Sequence, residues 1–94
     1  MLASALARPI NQWVYGEDDL CVLAAAYVFG IARNHPFADG NKRTAWVVAR
    51  LFLRKNGIVL KFVEHEAIAA VLELAAGELS EEELANWFRT RLLG

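Results

Sequence analysis

The chain has 94 residues, 56% of them hydrophobic, a net charge of −1, one cysteine and two histidines. That length makes one domain around one modest core. The near-neutral balance gives no global attraction to nucleic acid or an acidic membrane, and Cys21, His35 and His65 cannot assemble a structural zinc site or a disulfide framework. No signal peptide opens the sequence, and Arg33, Arg50 and Arg54 interrupt its apolar runs, so a cytoplasmic protein with no membrane span is expected.

Leu2 to Ala7 are good helix formers with no capping residue ahead of them, and Pro9 ends the run, so the chain opens like the tail of a helix. Ile10 to Gly16 contains Trp13, Val14 and Tyr15 and is too short for a helix between Pro9 and Gly16, which predicts an extended, core-packing linker. Asp18 or Asp19 caps a helix that runs to about Asn34, and apolar residues on nearly all its sides make it central and buried. Cys21 reads there as a small buried hydrophobe. Arg33, near the end of that helix, either solvates the surface or reaches a phosphate.

His35 to Ala45 reads His-Pro-Phe-Ala-Asp-Gly-Asn-Lys-Arg-Thr-Ala. Pro36 holds His35 out of the helical region, Asp39-Gly40 supplies turn chemistry, and Asn41 can cap the next helix. Lys42 and Arg43 then sit in a first turn, where cations oppose the positive end of the helix dipole. An anion would offset that cost: a phosphate can accept from the free N–H groups of Asn41, Lys42 and Arg43 while Gly40 leaves room for its approach. An imidazole is the usual base for a hydroxyl proton, and a carboxylate at Asp39 could hold the magnesium that accompanies a nucleotide. The same residues would also make a plain helix–helix turn with a solvated basic end.

The helix from Asn41 to about Lys55 is apolar on most sides and is also expected to be central, with Asn56-Gly57 as its stop and Arg50, Arg54 and Lys55 suiting its C-terminal dipole. Ile58 to Phe62 is a short extended connector. Glu64 to Ala76 is an amphipathic helix stopped at Gly77, with His65 solvated in its first turn, and Ser80 to Glu83 is a capping box opening a last helix whose Leu84, Trp87, Phe88 and Leu92 share a face. Five helical segments and almost no strand predict a compact all-α bundle.

His35-Pro36-Phe37, a free position, Asp39-Gly40-Asn41, Lys42 and Arg43 match every fixed position of the signature of the Fic/Doc family, which the chain resembles along nearly its whole length. Against that family it appears as a single domain over residues 1–94 lacking the N-terminal portion, which would expose apolar surface and favour self-association as a homo-oligomer. The resemblance implies ATP and Mg2+ as cofactors, His35 as base, Asp39 as metal ligand, Asn41, Lys42 and Arg43 at the nucleotide phosphates, and Phe37 as the buried pin that fixes the loop behind Pro36; Gly40 and Arg33 join the phosphate site on their positions alone. It also implies that the segment with Trp13 and Tyr15 is a flap that positions the target.

Most Fic members transfer AMP and carry Gly where this chain has Lys42. Doc-like members have Lys there and are similar to kinases, phosphorylating a threonine of elongation factor Tu. In AMP-transferring members a second arginine stands where this chain has Trp46, which favours the kinase. No inhibitory helix motif is found, so the resemblance implies restraint by a Phd-type antitoxin that folds into a groove on a toxin. Fic-type AMP transfer and a non-catalytic module that binds the antitoxin or itself are the alternatives. A Walker-type loop fits poorly, because Gly40-Asn41-Lys42 lacks its glycine spacing and Lys-Ser/Thr order.

Overall fold

The computed structural model describes residues 9–11, 13, 16, 18–34 and 41–92, apart from the side chains of Asn34 and Asn41. Among the described residues four named helices carry the fold: α1 (Leu20–Asn34), α2 (Asn41–Lys55), α3 (Glu64–Ala75) and α4 (Glu81–Arg89). The architecture is all-α, and the expected helix over Leu2 to Ala7 lies outside the described residues.

Asp19, rather than Asp18, starts α1. Its Oδ1 accepts from the N–H groups of Cys21 (2.9 Å) and Val22 (3.4 Å). The same carboxylate is ion-paired with Arg89, which ties the start of α1 to the end of α4. From there α1 runs through the centre of the bundle and packs on the other three helices. Ala24, Ala25, Ala26, Val28 and Ile31 have no exposed surface, and the run of alanines lets neighbouring helices come close. Ile31, Leu53, Val71, Leu74, Leu84 and Phe88 fill the shared core. Cys21 is buried as expected, and that burial pushes its thiol pKa up.

The two middle helices stop on glycine. Gly57 (φ 83) donates to the Arg54 carbonyl while Ile58 donates to that of Leu53, and Gly77 (φ 82) donates to Leu74 while Glu78 donates to Glu73. Both are Schellman closures, which need a left-handed residue that glycine adopts without a Cβ clash. Residues 58–62, the expected connector, lie outside the helices. Leu60 forms an antiparallel bridge with Leu92, and Lys61 N–H donates to the Arg91 carbonyl at 2.7 Å, so the last described residues are tied back to the middle of the chain.

Two expectations are corrected. Pro9, Ile10, Asn11 and Trp13 have helical backbone rather than extended, and Gly16 N–H donates to the Trp13 carbonyl at 3.1 Å in a closing turn. Pro9 therefore has helical backbone, which its fixed φ of about −65° permits. The second concerns α2, which is not central all round. Ala45, Trp46, Ala49 and Leu53 are buried, whereas Arg43, Val47, Arg50, Leu51 and Arg54 are exposed. That 43-47-50-51-54 spacing is one helical face, left open because α1 and α3 cover only the other side.

Candidate functional site

The first turn of α2 is the part of the sequence motif that the structure describes. Lys42 is half-buried and Arg43 exposed, and that turn contains no acidic residue. Neither side chain is in an ion pair among the described residues. Two cations therefore stand beside the first-turn backbone N–H groups at the positive end of a helix dipole. This donor set suits a polyphosphate, since backbone donors and mobile cations act on the same anion.

Lys42 borders two hollows. One, of about 510 Å³, lies against Leu72, Ala75 and Ala76 at the end of α3, with Glu73 and Glu78 on its rim. The other is a groove of about 500 Å³ along the α2–α3 seam, with Lys42, Arg43 and Arg50 on its cationic side, Trp46, Val47 and Ile68 as its apolar surface, and Glu64 at its edge. Trp46 is only 3% exposed. Its indole is stacked on Phe88 (6.2 Å between centroids, 8° between planes), with Phe62 and Trp87 edge-on at 5.0 and 6.0 Å. Its Nε1 is buried and has no acceptor among the described residues.

Not every expected site residue can be placed. His35, Pro36, Phe37, Asp39, Gly40 and Tyr15 lie outside the described residues, as does the Asn41 side chain, although Asn41 backbone opens α2. Among the described residues no group of three His, Cys, Asp or Glu side chains could hold a metal ion. Arg33 is exposed in the last turn of α1, its guanidinium 5.3 Å from the Phe29 ring centre. Trp13 is 66% exposed and, with Pro9, Ile10, Leu23, Tyr27 and Phe52, lines a separate apolar hollow of about 230 Å³.

Arg50, Glu64 and Ile68 were missed as site residues. The available signal was the seven-residue interval from Arg43 to Arg50, which puts both on one side of α2. Arg50 had a sufficient explanation in the helix dipole, and nothing in the local sequence says that α3 lies alongside. The Arg50 guanidinium sits 4.9 Å above the Phe62 ring centre, which holds it in place.

A family model described as "Fic/DOC family" matches residues 1–53. Over 63 residues the chain is 49% identical to "Toxin Doc" of Mycolicibacterium smegmatis, covering 64% of this chain and 48% of that protein. Over 94 residues it is 42% identical to "Protein kinase doc" of Escherichia phage P1, covering 98% of this chain and 73% of that protein. The chain thus spans about half the length of the first relative and about three quarters of the second. None of the described helices is long and apolar enough to cross a membrane.

Proposed function

Because this chain belongs to the Fic/DOC family, we propose that it is the toxin of a toxin–antitoxin pair and acts in the cytoplasm as a protein kinase, phosphorylating a threonine of elongation factor Tu. The observation that carries this reading is Lys42 on the first turn of α2, directly after the His35–Asn41 motif and beside Arg43. A lysine there adds charge and fills the space a glycine would leave, so the nucleotide is held differently from AMP-transferring relatives. The burial of Trp46 among aromatic rings supports the same choice, because an indole at that place supplies no cation to a phosphate.

ATP would supply the transferable γ-phosphoryl group, and Mg2+, when bound, would neutralise its charge. Lys42, Arg43 and the backbone N–H groups at the start of α2 would hold the phosphates, with Arg33 and Asn41 as further anchors and Asp39 as the metal ligand. His35 takes the proton of the threonine hydroxyl as its oxygen bonds to phosphorus and the bond to the leaving diphosphate breaks. Positioning and charge stabilisation are the main demands of such a transfer. The exposed Trp13, beside Ile10, suits a surface that positions the target polypeptide. A Phd-type antitoxin is the partner that restrains the activity.

The test uses purified protein, Mg2+ and elongation factor Tu with ATP labelled at either the γ- or the α-phosphate. Label transferred from the γ position alone supports the kinase. Label from the α position replaces it with AMP transfer, and no label from either removes the enzymatic reading for this target. Lys42→Gly is expected to lower γ transfer and allow α transfer.

A further inference from the structure

The groove along the α2–α3 seam is longer than the phosphate clamp at its mouth. Arg50 lies seven residues beyond Arg43, about 10 Å along the helix axis. Lys42 borders the C-terminal end of α3, whereas Phe62, just before the start of α3, lies under Arg50, so the two helices run antiparallel and Arg50 stands at the far end. Three cations line the groove against one carboxylate, Glu64, and none of the three is ion-paired among the described residues. Arg50 is also pre-positioned: its guanidinium rests on Phe62, and Phe62 is packed edge-on against Trp46. Between the two charged ends the surface is apolar, with exposed Val47 and half-buried Ile68.

We propose that the half of this groove beyond Lys42 and Arg43 is the subsite for the acceptor polypeptide, seating an apolar side chain on Val47 and Ile68 and a carboxylate on Arg50. The proposal rests on the kinase reading, which places phosphate at the first turn of α2 and hence the acceptor hydroxyl beside it. An extended chain advances about 3.3 Å per residue and so reaches Arg50 about three residues from the hydroxyl. The preferred substrate thus carries an apolar residue and then an acidic one on one side of the acceptor. The charge of the groove selects against a basic residue at that position.

The test compares two fluorescein-labelled threonine peptides that differ only in carrying Asp or Lys at the third position from the threonine, each with Leu before it. Binding is read by anisotropy without nucleotide, and KM and kcat are read with γ-labelled ATP. The wild-type chain is expected to bind the Asp peptide about fivefold more tightly, the upper range for a partly exposed charge pair. Arg50→Gln removes the preference and Arg50→Glu reverses it, with the difference between the two peptides appearing in KM; circular dichroism checks that both variants fold. Equal binding of the two peptides, or a preference that survives Arg50→Glu, overturns the subsite. Inorganic tripolyphosphate affinity falling as much as peptide affinity in Arg50→Gln also overturns it, because the groove then holds phosphate. If the anisotropy preference reverses as expected while no γ label is transferred, the kinase reading fails and the peptide subsite stands.

Discussion

The first turns of α2 and α4 are built in opposite ways. α4 begins with Ser80, whose Oγ accepts from Glu83 N–H at 3.0 Å while Glu83 Oε1 accepts from Ser80 N–H at 2.8 Å, and its first turn holds Glu81, Glu82 and Glu83. Every device there lowers the energy of the helix. α2 begins with Lys42 and Arg43 and has no acid in its first turn. Both helices belong to the same core, through Trp46 and Phe88. What differs is the N-terminus: α4 satisfies donors from within the chain, whereas the first turn of α2 carries positive charge and no acid.

The largest expected effect tests the functional end of this contrast. His35→Ala should lower phosphoryl transfer by about 100-fold or more, the usual contribution of a positioned base, with the thermal midpoint changed little. A large loss of stability with transfer intact would contradict the assignment. Lys42→Glu makes the start of α2 resemble that of α4. It should weaken ATP binding in titration calorimetry by at least roughly tenfold, the loss of one charge-assisted contact and its replacement by repulsion, while stabilising the helix by about 0.3–1 kcal/mol. Ser80→Ala should do the reverse, costing about 1 kcal/mol, seen as a drop of roughly 4–8 °C in Tm, with transfer unaffected.

The smallest effect concerns Asp19, which caps α1 and pairs with Arg89. The hydrogen bond from Arg89 is the first cause of its lowered pKa, and the N–H groups of Cys21 and Val22 add to it. A carboxylate whose folded pKa is depressed contributes stability that is present above its unfolded value, near 3.9, and is lost as pH falls through the folded value. Both side chains are more than a third exposed, so solvent screening keeps the pair's contribution to about 0.5 kcal/mol. Asp19→Asn, which retains a capping oxygen, should flatten the stability–pH curve below pH about 4 and change little at neutral pH beyond that amount. An unchanged acid limb in urea melts would show that the pair adds nothing.

Much of the helical framework was legible because its determinants are local. A serine three residues before a glutamate and a glycine after the last helical turn each act within one turn of chain, so Ser80, Gly57 and Gly77 could be assigned from their neighbours alone, whereas the choice of Asp19 over Asp18 rests on its hydrogen bonds to Cys21 and Val22. The stretch at 9–13 failed by the same logic: its aromatic and β-branched content favours extended chain, but the segment is helical where described. Sequence could not say which apolar residues of α2 would stay exposed, since burial depends on how many neighbours arrive, and α1 and α3 cover one side only.

The motif from His35 to Arg43, and with it the family, was written in the order of the residues, because its fixed positions lie within nine consecutive places of the chain. Tertiary structure alone decided that Trp46 packs on Phe88, that Arg89 reaches Asp19 seventy positions away, and that Arg50, Glu64 and Ile68 share a groove with Lys42. These contacts join residues far apart in the chain, and their partners are set by which helix faces bury the most apolar surface together, a property of the packed bundle that no single segment carries.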